Sequence, residues 1–293
     1  MTTAWLGVGS PMRKRGSLSV TRILGVVGPH VLVVLAAILI GFPFFFMVTT
    51  SFKSLGEVYT VPMRVLPGAL RWENYVKAWT AVPFARFTIN SIIYASVITI
   101  GEFAMGVTAG YAFGRLRFPK KDTLFFFVLL TFMIPGQITL IPRFTLLRDL
   151  QWINTYQGLI VPELSSAFAT FLLREHFCSL PDELFDAAKI DGAGYLRQML
   201  QVALPMSKPI TATLLLLAFV AHWNAYLWPL IVTNTLAMRT LPIGLQFLRG
   251  LSEVAHWHVV SAGAVMVVAP LVALFLMAQR QFIEGAIQGA LKG

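Results

Sequence analysis

Two carboxylates occur inside segments that are otherwise apolar, and their chemistry requires explanation. Glu102 lies near the middle of the apolar run 88–113, and Glu163 follows Pro162 in a second such run. An unpaired carboxylate at the centre of a membrane costs about 2.5–3.5 kcal/mol, so we expect both side chains to face the protein interior or a water-filled path. Glu102 either contacts a solute or cation on such a path, or is a protonated or hydrogen-bonded packing residue. The sequence leaves both roles open.

Amide and aromatic side chains at similar depth extend the set of candidates. Ligand sites combine apolar and aromatic walls with a few polar groups, which suits the binding of sugars. Aromatic residues at the ends of membrane segments also serve as anchors at the lipid interface, so each has a second interpretation. The candidates for a solute path are Glu102, Gln137, Glu163, Trp223, Asn224 and Tyr226.

The chain lacks the patterns of an enzyme. It has no glycine-rich loop ending in Gly-Lys-Ser/Thr that would bind ATP, and no nucleophile or cofactor constellation. Its histidines do not have the tight spacing of a metal site, and we assign His256 and His258 to a membrane interface. We therefore expect no catalytic residues, no metal and no cofactor bound by this chain.

The composition is that of a membrane protein. The 293 residues are 57% hydrophobic and only 12% charged, whereas about a quarter of the residues of a soluble domain are charged. The formal net charge of +10 comes from basic residues that separate apolar runs. Because they form no dense patch with interleaved aromatics, we exclude nucleic acid as a partner. The single cysteine, Cys178, excludes an internal disulfide.

Six apolar runs predict an all-α polytopic membrane protein with six transmembrane helices. A crossing requires about 20 apolar residues. We expect a basic tail at 1–22, one six-helix membrane domain at 23–280 and a tail at 281–293. Small residues at four-residue spacing in the second span, Gly106, Gly110 and Gly114, predict close helix packing. The predicted spans are 24–48, 88–113, 123–141, 157–177, 210–232 and 259–279.

The orientation follows from the basic residues. An even number of spans places both termini on one side of the membrane. Lysine and arginine are most enriched in the shortest tails and loops of that side, which include Arg13, Lys14 and Arg15 and the segment RLRFPKK at 115–121. Basic residues mark the cytoplasmic side, so we predict that both termini are cytoplasmic. The polar loop 178–209 then also lies in the cytoplasm.

The loop 178–209 carries strong helix signals. Ser179 and Asp182 have the spacing of a capping box, with Pro181 in the first turn. Gly192 is a natural helix stop, and a second helical run from about 195 to 204 should end at Pro205. The loop is thus a helix–turn–helix with a corner of small residues. It either docks into a groove of a soluble partner or is an inert connection.

The sequence of this loop resembles the EAA loop of the inner-membrane permease subunits of ABC importers. That pattern has Glu-Ala-Ala, then Asp-Gly-Ala, a spaced Leu-Pro and a final proline, here Pro209. One departure is Asp186, where the family usually has glutamate, so its reach is shorter by about one methylene. The matching residues are Asp186, Ala187, Ala188, Asp191, Gly192, Ala193, Leu204 and Pro205.

The resemblance covers nearly the whole chain. The chain is most similar to carbohydrate-uptake permeases of the maltose and glycerol-phosphate type. The segments that carry it include NSIIYA at 90–95, YAFGRLRFP at 111–119, WNAYLWPLIVT at 223–233 and TLPIGL at 240–245. It implies the type I ABC importer permease fold. It also implies that the eight residues of the loop motif form the coupling helix region that sits in a cleft of the ATPase.

The resemblance further implies a complex in a bacterial or archaeal plasma membrane. This chain would work with a second permease subunit, two ATPase subunits that hold ATP and magnesium, an extracytoplasmic substrate-binding protein and membrane lipid. The solute would be a sugar, an oligosaccharide or a polyol-phosphate. The C-terminal tail would reach the ATPase, and Gly285 and Gly289 make it a poor independent helix.

A stand-alone secondary transporter is the alternative. Such a protein needs its own carboxylates for a coupling ion and usually an inverted internal repeat. Glu102 and Glu163 supply carboxylates, but no repeat is visible. Co-purification with an ATPase would distinguish the two classes.

Overall fold

The computed structural model describes the backbone of residues 20–250 and 256–290 and the side chains of residues 28–250 and 256–279. This part of the chain is built from helices and contains no strand. The helices are α1 (Val20–Ser51), α2 (Leu55–Val58), α3 (Glu73–Ala81), α4 (Phe84–Arg115), α5 (Lys121–Met133), α6 (Leu140–Asp149), α7 (Tyr156–Ile160), α8 (Ala167–Cys178), α9 (Asp182–Ile190), α10 (Tyr195–Gln198), α11 (Leu204–Met206), α12 (Lys208–Trp223), α13 (Leu227–Val232), α14 (Leu241–Gly250) and α15 (Trp257–Ala290). Short 3₁₀ turns occur at Val161–Glu163 and Leu236–Met238, and a π-helix occurs at Met199–Ala203.

The chain divides into two compact units, one ending at Phe46 and one beginning at Met47. The first unit holds most of α1, whose sequence is apolar and includes Pro29 and Pro43 within the helix. The remaining helices belong to the second unit. The predicted basic tail 1–22 lies almost entirely outside the described residues.

Three helices in the described part of the chain have the length and composition to cross a membrane. They are Gly28–Ser51, Phe84–Arg115 and Trp257–Gln279, with mean hydropathies of 2.9, 1.6 and 2.5. They correspond to the first, second and sixth predicted spans. A fourth is obtained only if Tyr195–Met206 and Lys208–Trp223, which meet at an angle of 84°, are counted as one broken span.

The other three predicted spans are not continuous helices. The third ends early, because α5 stops after 13 residues, before Pro135 and Gly136. In the fourth, a 3₁₀ turn that contains Pro162 separates α7 from α8. In the fifth, the helix is interrupted after Trp223. Interrupted helices are tolerated at membrane depth where the protein itself surrounds the irregular backbone.

The second span, α4, is the centre of the second unit and packs along both α8 and α12. The predicted glycine strip is confirmed as the contact with α8. A Cβ atom on Gly106 would lie 3.0 Å from the Ala169 Cβ, and one on Gly110 would lie 3.0 Å from the backbone nitrogen of Arg174. Close backbone approach at small residues is the usual packing of membrane helices.

Three clusters of buried side chains surround α4. One joins α3, α4, α12, α14 and α15 around Phe87 and Trp223. A second lies at the opposite end of α4, around Tyr111, Phe177 and Phe185. The third packs Tyr94 with Leu147, Leu159 and Trp228. These contacts hold the interrupted helices against one continuous helix.

The segment 51–87 is folded. The Asn74 amide donates hydrogen bonds to the carbonyls of Ser51 (2.8 Å) and Lys53 (2.9 Å). Ser54 and Glu57 form a complete capping box at the start of α2. Hydrogen bonds from the backbone N–H groups of Ser54 and Gly68, with the Ser54 hydroxyl, lower the pKa of Glu57 to about 2.

The C-terminal segment is helical where the structure describes it. The glycines predicted that the tail 281–293 is a poor independent helix, and as far as Ala290 it continues α15 without interruption. Extending an existing helix requires no new nucleus, and this outweighs the low propensity of Gly285 and Gly289.

Candidate functional site

Helix α9 is held against the end of α4 by one arginine. Arg115 forms an ion pair with Asp182 and also donates a hydrogen bond to the carbonyl of Leu180. Its guanidinium carbon lies 4.1 Å from the centre of the Phe185 ring, and Phe185 is buried. The inner face of the predicted coupling helix is therefore anchored to a membrane-spanning helix.

The expected capping box at Ser179 is wrong. The Ser179 hydroxyl donates to the carbonyl of His176 (2.8 Å) and so closes the end of α8. Pro181 is the N-cap of α9, with no side-chain cap, and the helix begins at Asp182. Asp182 is attracted to Arg115 instead, because α4 ends beside it. This long-range contact could not be seen in the local spacing.

The corner after α9 is confirmed as a glycine stop. Gly192 has φ +75°, a left-handed conformation that L side chains rarely adopt. The Ala193 N–H donates to the Ala188 carbonyl (2.8 Å), and the Gly192 N–H donates to the Lys189 carbonyl (3.0 Å). These two bonds are those of a Schellman motif, which satisfies the last carbonyls of a helix. The turn at Asp191-Gly192-Ala193 is consequently well defined.

The second arm of the loop is more irregular than predicted. It runs through α10, the π-helix Met199–Ala203 and α11, and it ends at Met206 and not at Pro205. Pro205 lies in the first turn of α11, where its missing N–H is tolerated. Gln198 is buried and donates to the carbonyl of Ala193 (2.7 Å). It also accepts a hydrogen bond from the Tyr111 hydroxyl (3.3 Å).

The outer face of the loop is exposed and partly apolar. Ile190 is 88% exposed, and Tyr195 and Leu196 are 64% and 66% exposed. Asp186 and Lys189 are also exposed and joined at 2.8 Å, and this hydrogen bond and charge lower the pKa of Asp186. A cavity of about 390 Å³ lies between α9, α10 and the end of α4. Of the motif residues, Ala187, Asp191, Gly192 and Pro205 are exposed, and Ala188, Ala193 and Leu204 are half-buried.

Glu102 in α4 has a partner on the neighbouring span. Its Oε2 atom lies 3.2 Å from Nε2 of His222 in α12, and both side chains are largely buried. The His222 ring packs edge-on against Tyr94, with ring centroids 6.0 Å apart. The Tyr94 hydroxyl is buried and has no hydrogen-bond partner among the residues that the structure describes. A carboxylate, an imidazole and a phenol therefore meet inside the helical bundle.

Glu163 is also paired. It forms an ion pair with Arg143 of α6, whose guanidinium carbon lies 4.1 Å from the centre of the Trp228 ring. Trp228 and Tyr94 belong to the same buried cluster. The two carboxylates thus border one cluster from different helices, each with its own cation or imidazole.

The other path candidates are dispersed. Trp223 is buried, and its indole N–H donates to the carbonyl of Val267 (3.1 Å), so it is a packing residue in this conformation. Asn224 is exposed at the interruption of the fifth span and donates to the Val220 carbonyl (2.8 Å). Tyr226 is 40% exposed beside it. Gln137 is exposed in the turn after α5.

Comparison with known proteins identifies the architecture. Residues 106–284 match the family described as the inner membrane component of binding-protein-dependent transport systems. This match covers more than half of the chain and includes the whole loop 178–209.

The chain belongs to this family.

Relatives with assigned names agree with this conclusion. The chain is 34% identical over 265 residues to the sn-glycerol-3-phosphate transport system permease protein UgpE of Yersinia enterocolitica, covering 88% of this chain and 94% of that protein. It is 33% identical over 267 residues to the UgpE protein of Rhizobium meliloti, covering 88% and 95%. The chain is therefore a membrane permease component of an ABC importer.

Solved structures share the fold. A chain of a bacterial ABC transporter involved in the import of the acidic polysaccharide alginate has a TM-score of 0.80 at 24% identity, covering 93% of this chain and all of that chain. A chain of the alginate transporter in complex with a pentasaccharide-bound periplasmic protein has a TM-score of 0.64 at 13% identity, covering 89% and 95%. The permease fold expected from the sequence is thereby confirmed.

Four side chains of this permease site escaped the sequence analysis. Arg115 and Gln198 hold the loop 178–209 on its inner side, while Arg143 and His222 pair with the two carboxylates Glu163 and Glu102. For His222 a signal existed, because it is an ionisable residue within an apolar run, as Glu102 is. Arg115 and Gln198 gave none, since their partners are distant in the sequence.

Proposed function

We propose that the loop 178–209 transmits ATP-driven movements from an ATPase subunit to the permease. The observation that carries this proposal is the two-sided construction of α9 and its corner. The inner face is fixed to α4 through Arg115 and Phe185, while Ile190, Tyr195 and Leu196 are exposed beyond it. Large apolar side chains clustered on an exposed surface mark a protein interaction site.

The individual residues have distinct roles in this docking. The side chains of Ala187 and Ala188 are small, so the backbone of α9 can lie close to the wall of a groove in the partner. Asp186 is exposed and has a lowered pKa, so its carboxylate is charged. In this structure it pairs with Lys189, and in the complex it would pair with an arginine of the ATPase. Asp191, Gly192 and Ala193 form the corner, and Leu204 and Pro205 begin the return toward the membrane.

The proposed topology has six membrane crossings with both termini in the cytoplasm. Three crossings are long helices, and the other three are the interrupted segments α5–α6, α7–α8 and α12–α13. A second permease subunit covers part of the exposed apolar surface, at the interrupted segments, and shields their irregular backbone from lipid. Two ATPase subunits supply ATP and magnesium, and an extracytoplasmic binding protein delivers the solute.

The proposed solute is a sugar, an oligosaccharide or a polyol-phosphate. The names of the relatives support a polyol-phosphate, and hydroxyl-rich solutes suit the polar groups near the buried cluster. Glu102, Glu163, Asn224, Tyr226 and Gln137 remain the candidates for the path. Because both carboxylates already have partners, they are poorly placed to bind a coupling ion, and nothing here favours a secondary transporter.

Affinity purification from the native membrane tests the proposal. A tagged permease should co-purify with an ATPase, and the reconstituted complex should take up solute only with ATP and the binding protein. Disulfide cross-linking of Ala187→Cys to the ATPase should exceed that of Lys77→Cys, an exposed control in α3. Full uptake by this chain alone without ATP would contradict the proposal.

A further inference from the structure

The turn between α4 and α5 contains a basic cavity that the coupling loop does not use. The cavity has a volume of about 330 Å³ and is lined by Arg117, Phe118, Lys120, Lys121, Asp122 and Thr123. Three cations thus face one carboxylate. The neighbouring cavity beside α9 shares only Arg117 with it.

The positive charge of this cavity is largely uncompensated within the protein. Among the residues whose side chains the structure describes, Arg117 and Lys120 have neither an ion-pair partner nor a side-chain hydrogen bond. Both are exposed. Lys121 donates only to the carbonyl of Leu116 (3.4 Å), across the turn. Two cations therefore remain available for an anionic ligand.

The backbone adds to this potential. Lys120 has φ +59° and precedes the 13-residue helix α5 without capping it through its side chain. The first N–H groups of a helix point toward its N-terminal end, where an anion is favoured. Asp122, in the first turn, balances part of this charge.

The position of the cavity indicates the source of the anion. The apolar helix α4 ends at this turn and the apolar helix α5 begins there, which places the turn at a membrane surface. Immediately beyond it, Phe126 and Phe127 of α5 are 57% and 58% exposed. A ligand with a phosphate for the cations and hydrocarbon chains for the apolar face satisfies both surfaces. Basic pockets beside transmembrane helices bind anionic lipid headgroups in this manner.

We propose that the α4–α5 turn binds the phosphate headgroup of an anionic phospholipid, with Arg117, Lys120 and Lys121 as ligands and the exposed face of α5 as the contact for the acyl chains. The site does not depend on which solute the permease carries or on whether α9 couples to the ATPase. It requires only that this turn lie at a membrane surface.

Lipid counting on the intact complex tests the site. The complex is delipidated in detergent and titrated with phosphatidylglycerol, phosphatidylcholine or inorganic phosphate, and bound molecules are counted by native mass spectrometry. The variant Arg117→Gln/Lys120→Asn removes two charges, and asparagine tolerates the left-handed conformation of residue 120. Its matched control, Arg64→Gln/Lys77→Gln, removes two exposed charges outside both the cavity and the loop 178–209.

We expect phosphatidylglycerol to bind the wild-type complex more tightly than phosphatidylcholine does. The variant should weaken phosphatidylglycerol binding by about 30-fold, since each basic residue near a lipid surface contributes about fivefold. The control should retain wild-type binding. Equal binding by variant and wild type would overturn the proposal. Competition by inorganic phosphate at equal concentration would also overturn it, by showing a small-anion site. Unchanged uptake and thermal stability of the variant would show that it is folded.

Discussion

Arg115 at the end of α4 and Asp182 at the start of α9 form an ion pair across 67 residues of sequence. The two side chains contribute unequally, because Arg115 is only 11% exposed and Asp182 is 84% exposed. Arg115 also donates to the Leu180 carbonyl and covers the Phe185 ring. The arginine side chain, more than the ion pair, thus joins the membrane helix α4 to α9.

We expect Asp182→Asn and Arg115→Lys to have different effects. An exposed ion pair contributes about 0–1 kcal/mol, so the aspartate variant should have nearly wild-type stability. Lysine cannot reproduce the planar guanidinium, so Arg115→Lys should lower the free energy of unfolding by about 1–3 kcal/mol and reduce the coupling of ATP hydrolysis to uptake. Thermal unfolding of the purified complex measures the change in stability. Equal losses in the two variants would contradict this assignment.

The backbone conformation of Gly192 leads to a second prediction. Gly192→Val should insert into the membrane normally but uncouple ATP hydrolysis from uptake, since a β-branched residue is strained at φ +75°. Gly192→Asn is the matched control, because asparagine tolerates this conformation. Within the described part of the chain, no atom lies within 4 Å of a Cβ added at Gly192. Uncoupling by both variants would mean that the groove of the partner has no room for a side chain at residue 192. Normal coupling in the Gly192→Val variant would contradict the role of the corner.

The contact of α4 with α8 gives a third prediction. Gly110→Ala should destabilise the permease by about 1–3 kcal/mol, because its Cβ would lie 3.0 Å from both the backbone nitrogen of Arg174 and the Leu173 Cβ. Gly41→Ala in α1, where an added Cβ meets no atom of the described residues within 4 Å, is the control and should be neutral. Midpoints of thermal unfolding in detergent compare the two. A neutral Gly110→Ala would mean that the helices separate without cost.

The sequence predicted the features that depend on local pattern. Apolar length revealed the long helices, and the spacing of glycines revealed the α4–α8 contact. The positive-φ corner followed from Gly192. Interruptions at Pro162 and after Trp223 were underestimated because apolar composition does not report helix continuity.

Contacts between distant elements could not be predicted. The spacing of Ser179 and Asp182 fitted a capping box, but Asp182 is closer to the end of α4 and pairs there. Glu102 was rightly expected to be shielded from lipid, yet its partner His222 is 120 residues away in the sequence. Both pairs are set by the packing of helices that are distant in the sequence.

The Glu102–His222 pair gives a fourth prediction. Glu102→Gln should keep normal membrane levels but lower uptake at limiting solute, if the carboxylate contacts the path. His222→Phe removes the nitrogen that faces the buried carboxylate and should reduce stability. The double variant should regain stability without regaining uptake. Measurements at saturating and limiting solute separate these effects, and unchanged uptake by Glu102→Gln at both concentrations would assign the pair to packing alone.

Acidification of the loop 51–87 gives a fifth prediction. The folded-state pKa of Glu57 is lowered to about 2, below an ordinary glutamate pKa of about 4.3. Its contribution to the order of this loop is therefore complete above about pH 4.3 and is lost as the pH falls toward 2. Hydrogen-exchange protection of Ser54 and Gly68, corrected for intrinsic rates, should decrease over this range. Glu57→Gln should have low protection at every pH, and a pH-independent wild type would contradict the assignment.

The 84° bend between Tyr195–Met206 and Lys208–Trp223 has a mechanical consequence. At its vertex Ser207 is fully buried, and its hydroxyl donates to the Ala203 carbonyl (2.6 Å). Two rigid helical segments joined at nearly a right angle would move together, so that a displacement of one rotates the other. A sideways push on the first segment would become a tilt of the second, and Trp223 lies at the far end of that segment, inside the core. The direction of the applied force would thus be turned before it reaches the middle of the membrane.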